Sequence, residues 1–240
     1  MDERLNGKMI VILGGSSGIG LATALAARAA GAEVAITGRN AARLARAREL
    51  LGGETRTAQF DAAHETPARE FFESLPHIDH IFSTAGTLVH DPKLAPARAQ
   101  LRPAMGVRFW SALYACKYGA PRIRPGGSLV FMSGTAARRP LAGAAVASAS
   151  CGAVESFMRA MVLDLAPLRV NVVQPGYVDT PLFDALLGEQ RDAVLQAAGE
   201  KLPVGRVGRP EEIADAVLFL MRNGYVNGTI LTVDGGGTLV

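Results

Sequence analysis

Four glycines and two serines crowd into Gly14 to Gly20, "GGSSGIG", and their spacing suits one kind of chemistry. A turn without side chains lets backbone N–H groups approach an anion closely. Where such a turn opens a helix, those N–H groups and the helix dipole together favour a phosphate. An apolar strand-like run precedes this turn and a helical pattern follows it, so the pyrophosphate of a dinucleotide is the ligand it suits. This assigns cofactor contacts to Gly14, Ser16, Ser17, Gly18, Ile19 and Gly20. The next apolar run ends in Gly38-Arg39-Asn40. A carboxylate there would hold ribose hydroxyls and repel a 2′-phosphate. Arg39 instead offers a guanidinium fork that pairs with phosphate, which favours NADP(H) over NAD(H). The plainer alternative is a surface arginine at a strand end.

Other reactive side chains are sparse. Cys151 would be a nucleophile only with a depressed pKa, and no Lys or His stands beside it in sequence. It reads as an inert helix cysteine. His64, His77, His80 and His90 lie apart and neither cysteine forms a Cys-x-x-Cys pair, so no metal site is expected. His77 and His80 read as loop or strand-edge residues.

The chain has 240 residues, 49% hydrophobic and 20% charged, with a formal charge of +3. That composition describes a folded globular chain with ample length for a core. The arginine groups Arg43/Arg46/Arg48 and Arg138-Arg139 read as solvated surface, so no nucleic-acid partner is expected. Two cysteines, Cys116 and Cys151, make no disulfide framework and suit a reducing cytoplasm. The apolar run "MIVIL" is too short to span a bilayer and no signal-peptide cleavage pattern follows it, so no membrane partner and a cytoplasmic location are expected.

Strand-length apolar runs alternate with helical stretches along the whole chain. "KMIVILGG", "EVAITGR", "TRTAQFDAA", "HIDHIFSTAG", "SLVFMSG", "RVNVVQPG" and "TILTVDGG" read as strands. Between them lie helices from "GLATALAARAAGA", capped by Gly31, and "NAARLARARELLGG", with Asn40 as N-cap. Further helices are expected near 68–72, over about 97–120 and 147–165, within 181–203, and at "PEEIADAVLFLM". The pattern predicts one domain over 1–240, an α/β doubly wound parallel sheet of Rossmann type with helices on both faces. No linker or repeat divides it.

These motifs together resemble the short-chain dehydrogenase/reductase family, and the likeness covers essentially the whole chain. "GGSSGIG" is similar to the family's Thr-Gly-x-x-x-Gly-x-Gly turn, with Leu13 at the Thr position. Asp61 matches the Asp that bonds the adenine. "STAG", with Ala85 and Gly86, stands where the family has Asn-Asn-Ala-Gly. "NVVQPGYVDTP" resembles the Pro-Gly segment, which implies nicotinamide contacts from Pro175, Gly176, Val178 and Thr180. Asn171, "RPEEIADAV" and "VDGG" fit the C-terminal half. The resemblance also implies a homodimer or homotetramer, and it makes 181–203 a substrate lid that would cover a small apolar ligand.

The family's chemistry rests on an Asn, a Ser, a Tyr and a Lys. Matched position by position, these fall on Arg108, Gly134, Ala147 and Cys151. No tyrosine occurs between Tyr118 and Tyr177 and no lysine between Lys117 and Lys201, so no local gap restores the pair. Ser133 is adjacent to the Ser position, but one step along a strand should turn it to the opposite face. Losing a general acid typically costs roughly 10²- to 10⁴-fold in rate. The expectation is an NADP(H)-binding relative that is non-catalytic or regulatory. One alternative is an atypical NADP-dependent oxidoreductase acting on a small carbonyl or alcohol, with Arg108, Tyr177 or the substrate supplying the proton path. Another is a structural partner with a vestigial nucleotide site.

Overall fold

A computed structural model describes residues 5–52 and 54–240. Seven strands form its centre: β1 (Met9–Leu13), β2 (Glu33–Gly38), β3 (Arg56–Gln59), β4 (Ile78–Ser83), β5 (Ile123–Met132), β6 (Arg169–Pro175) and β7 (Ile230–Val233). The sheet order is β3-β2-β1-β4-β5-β6-β7, with every neighbouring pair parallel. Eight α-helices are described: α1 (Gly18–Ala29), α2 (Ala41–Leu51), α3 (Glu65–Ser74), α4 (Arg98–Tyr114), α5 (Ala145–Asp164), α6 (Pro181–Leu187), α7 (Arg191–Lys201) and α8 (Pro210–Arg222). The doubly wound α/β fold expected from the alternating pattern is the fold observed.

Side-chain alternation along the strands divides the core into two layers. Ile10 and Ile12 of β1 pack with α1, α2 and α8, while Met9, Val11 and Leu13 pack with α3, α4 and α5. Because both faces are covered, β1 is buried at every position. The chain winds outward from β1 to β3, then returns to β4 on the other side of β1. A crevice therefore opens above the carboxyl ends of β1 and β4, where ligands bind in sheets of this kind.

Local signals largely hold. Gly31 takes φ +84° after α1, and the Asn40 side chain accepts from Arg43 N at 2.9 Å to cap α2. That helix stops at Leu51, and Gly53, the expected end of its segment, lies outside the described residues, as do residues 1–4 of the expected 1–240 unit. The long helix expected over 97–120 ends at Tyr114 and continues as a π-type turn over Ala115–Gly119. That turn sets Gly119 against Ile81 and Phe72, where a Cβ would fall 2.5 Å from Ile81 Cδ1. The segment 181–203 holds two helices, broken at Gly188 with φ +53°. Helix α5 is long and apolar enough to cross a membrane, with mean hydropathy 1.2. One face of it, including Val154 and Met158, is buried in the core against the sheet, and the remainder is less covered.

One expectation fails outright. His80 is no strand-edge residue: it lies inside β4, paired on both sides, and is buried with Nδ1 2.9 Å from Ser128 Oγ. Neighbouring Asp79 is buried as well; it accepts from Met9 N and pairs with Lys8 and Arg124. Burial pushes the His80 imidazole down to about 4 from its ordinary 6.5, with Asp79 partly opposing. The unfolded chain therefore binds a proton at His80 that the folded chain refuses between those values. Stability is full above pH 6.5 and falls as pH drops toward 4, by up to about 3 kcal/mol. Urea unfolding across this window should show that slope, and His80→Asn should flatten it. An equal slope in the variant would assign the loss to other groups.

Candidate functional site

The crevice is lined from the ends of β1, β2 and β4, the start of α1, helix α4 and the loop into α6. Its floor is set by the turn after β1. Gly14 takes φ +90°, and the N–H groups of Gly14 and Gly15 donate to Thr37 O at 3.2 and 2.9 Å. A Cβ on Gly20 would fall 2.2 Å from Gly14 O, so only glycine lets α1 leave the strand this closely. At Ser17, the N-cap of α1, no side chain bonds the first-turn N–H groups. They face the crevice, which is the arrangement that holds a pyrophosphate.

Gly14, Ser16, Ser17, Gly18, Ile19, Arg39, Asn40, Asp61, Ala85, Gly86 and Thr180 all line the crevice. Gly20 does not line it and acts through packing. Pro175, Gly176 and Val178 also stay out of it. Val178 is buried and bridges Gly208, while a Cβ on Gly176 would strike Asp234 at 2.9 Å. These residues steer the chain so that Thr180 reaches Gly18, whose Cβ would lie 3.4 Å from it. Tyr177, the spare phenol, is not in the lining; its ring stacks on Phe183 of α6 with centroids 5.8 Å apart.

At the open rim, Arg39 Nη1 lies 3.8 Å from Asp61 Oδ2, and Asp61 Oδ1 accepts from Ala63 N. Arg39 is 59% exposed at its side chain, free to turn toward a ligand. Arg43, read from sequence as surface, lines the same rim from the first turn of α2. Its place three residues after the Asn40 cap was the available signal. Thr84 of "STAG", Phe60 beside Asp61 and Leu182 of the 181–203 segment also join the lining, as does Val107, to which no sequence motif pointed.

The inner end carries the four positions that the family resemblance singled out. Arg108 is buried, lines the crevice and donates from Nη1 to Met132 O at 3.4 Å. Its guanidinium lies against Gly86, where a Cβ would be 2.8 Å from Nη1. Gly134 faces α5, its Cβ position 3.4 Å from Cys151 Sγ. Ala147 and Cys151 are both buried. Burial raises the Cys151 thiol pKa, Arg108 lowers it and Glu155 raises it, for a net rise. Burial pushes the Cys116 thiol up to about 12. Both sulfurs are protonated and inert near pH 7.

Ser133 corrects a second expectation. Its hydroxyl does not turn away from α5; it donates to Glu155 Oε1 at 2.7 Å. Leu129 and Phe131 of β5 pack on the α5 side and Ser133 continues that alternation; it is Gly134, past the end of the strand, that departs from it, its Cβ position also meeting α5. Gln174 Nε2 also donates to Glu155 Oε1, at 2.6 Å, and Thr232 donates to Gln174 at 3.0 Å. The Ser133 hydroxyl is thereby committed to this buried network. No group of His, Cys, Asp and Glu suited to a metal ion occurs among the described residues.

Comparison with known proteins places these features in context. The model of the family described as Enoyl-(Acyl carrier protein) reductase matches residues 14–238. The short-chain dehydrogenase/reductase malC of Malbranchea aurantiaca is 33% identical over 98% of this chain and 96% of its own. The solved structure of MalC Reductase/Diels-Alderase from that organism superposes with a TM-score of 0.90 at 32% identity, covering 99% of this chain and 98% of that one. The NADP-dependent (R)-specific alcohol dehydrogenase of Lentilactobacillus kefiri is 31% identical over 99% of both chains. A small-chain dehydrogenase in complex with NADPH superposes with a TM-score of 0.85 at 31% identity, over 98% of this chain and 100% of that one.

Helix α5, which carries Ala147 and Cys151, follows an N-cap residue, Ala144, that has no side chain able to cap it. Buried Asp91, in the loop after β4, supplies one: its Oδ1 accepts from Ala145 N at 2.9 Å and its Oδ2 from Val146 N at 2.7 Å. Removing that carboxylate strands two helix N–H groups. Asp91→Ala should cost about 2 kcal/mol of stability, read as a lower urea midpoint. An unchanged midpoint would show that the cap carries no weight.

Proposed function

Because this chain belongs to the short-chain dehydrogenase/reductase family, we propose that it binds NADP(H) in the crevice above β1 and β4 and does not run the family's standard carbonyl chemistry. Its role would then be that of a non-catalytic or regulatory cofactor-binding member. The observation that carries this reading is the contrast between the two ends of one crevice. The phosphate end keeps a glycine cradle that a Cβ would block and an uncapped helix start. The inner end has no phenol and no amine among its lining residues.

The residues present fit a dinucleotide. Gly14, Ser16, Ser17 and Gly18 would hold the pyrophosphate, Asp61 the adenine, and Thr180 the carboxamide. Bound there, the nicotinamide supplies or accepts a hydride. Arg39 supports NADP(H) over NAD(H), and Arg43 beside it on the same rim adds a second cation suited to a 2′-phosphate. Two similar proteins, an NADP-dependent alcohol dehydrogenase and a small-chain dehydrogenase in complex with NADPH, point the same way.

A second reading, an atypical NADP-dependent oxidoreductase, is favoured by the buried guanidinium of Arg108 at the inner end. A cation there would stabilise negative charge on a substrate oxygen without donating a proton from a phenol. Tyr177, stacked on Phe183, is a wall of the lid rather than the acid in that reading.

Titration with NADPH and NADH, followed by reduced-nicotinamide fluorescence, tests the cofactor. NADPH should bind more tightly than NADH, and Arg39→Ala should weaken NADPH about tenfold while leaving NADH nearly unchanged. Equal affinities in the unsubstituted protein would overturn the NADP(H) preference. Turnover tests the chemistry. NADPH-saturated protein should reduce no simple carbonyl compound, whereas a variant combining Arg108→Asn, Gly134→Ser, Ala147→Tyr and Cys151→Lys should gain roughly 10²-fold or more over it. Measurable reduction by the unsubstituted protein would decide for the oxidoreductase reading.

A further inference from the structure

Arg108 is a buried cation facing a ligand-sized crevice without a counter-charge. Its residue is 7% exposed. Its Nη1 bond to Met132 O, at 3.4 Å, is long for a hydrogen bond. Its Nε is buried with no partner. Among the described residues no carboxylate lies within ion-pair distance of it.

Two nearby groups fail as counter-ions. The Cys151 thiol is protonated near neutral pH because burial raises its pKa. The Glu155 carboxylate, one turn along α5 from Cys151, is held by Ser133 and Gln174 and makes no ion pair with Arg108. An uncompensated buried charge costs several kcal/mol, and such charges in folded proteins are paired. A ligand that brings an anion into the crevice offsets that cost.

We propose that Arg108 forms a built anion subsite at the inner end of the crevice, which takes the carboxylate of a small organic acid beside the cofactor. Its neighbours select the shape. Gly86 lets the guanidinium lie flat against its backbone, which fixes the side chain in place, and Val107, Met132, Ala85 and Leu182 make the crevice wall apolar. A planar carboxylate on a small apolar body matches the guanidinium fork and those walls together. The phosphate groups of the cofactor are accounted for elsewhere, at the start of α1 and at the Arg39 rim. The placement of the acid beside a nicotinamide rests on the cofactor reading above; the subsite itself does not.

Calorimetric titration of NADPH-saturated protein with acetate and benzoate, each against its neutral amide, acetamide and benzamide, tests this. At least one carboxylate should bind about tenfold or more tightly than its amide, and Arg108→Met should bring the pair within about twofold. Arg108→Lys, which keeps the charge without the fork, should retain part of the preference. Adenosine 2′,5′-bisphosphate binding, whose contacts lie at the Arg39 rim, reports that the variants are folded. Should Arg108→Met not fold, the unsubstituted protein and Arg108→Lys decide. Carboxylates no tighter than amides in the unsubstituted protein would overturn the subsite, as would a preference that survives Arg108→Met. If the unsubstituted protein takes up no NADPH, the cofactor reading fails, and the same titrations on the unliganded protein still decide the subsite.

Discussion

A Cβ at Gly20 would come 2.2 Å from the carbonyl oxygen of Gly14, and that backbone contact governs how the rest of the structure is arranged. It lets α1 start immediately above the end of β1, with its first-turn N–H groups over the crevice instead of against the next strand. The return of the chain from β3 to β4, across β1, then guarantees that the crevice has no covering strand. Asp61 after β3, Arg39 after β2 and Gly86 after β4 arrive at one place because all three follow carboxyl ends of parallel strands. The ligand geometry is thus a consequence of sheet order and one glycine contact, not of any catalytic group.

Charge is distributed along the crevice in two different regimes. At the rim, Arg39 and Asp61 face water, and an exposed pair of this kind is worth about 0–1 kcal/mol. Such a pair opens cheaply for a phosphate that makes better bonds. At the inner end, Arg108 is desolvated, so whatever pairs with it contributes more and must have the right shape. The same side-chain type serves as an adjustable contact in one place and as a fixed demand in the other, and burial alone makes the difference.

Much of this was legible in the chain. The alternation of apolar runs and helical stretches gave the sheet and its helices because each strand is buried on both faces, and the glycine turn was visible because its residues are adjacent in sequence. What sequence missed depends on contacts between distant segments. Asp91 caps α5 from 54 residues away, a partnership that no local pattern announces. Arg43 looked like one of several surface arginines until the Asn40 cap set the direction of the first turn of α2. His80 reads as a polar residue at a strand edge, and only the insertion of β4 between β1 and β5, with Ser128 opposite, makes it a core residue. Ser133 and Gly134 do not face apart, because Ser133 keeps the alternation of β5 on the side of Leu129 and Phe131 while Gly134, beyond the strand, turns to the same helix.

Helix α5 brings these lines together. Its start is held by Asp91, its second and third turns by the Ser133–Glu155–Gln174 network, and its lower face by Val154 and Met158 in the core. Those restraints fix the positions of Ala147 and Cys151 as firmly as any reactive pair would need, yet neither side chain is suited to proton transfer. A helix held this way keeps the shape of the crevice whatever stands at those positions. Gly134 and Ala147 lie outside the crevice lining, and the buried cation that borders its inner end is Arg108 from α4. At the inner end of the crevice stands a buried guanidinium with no carboxylate within ion-pair distance among the described residues, and burial makes that cation, rather than the exposed pair at the rim, the stronger constraint on charge there.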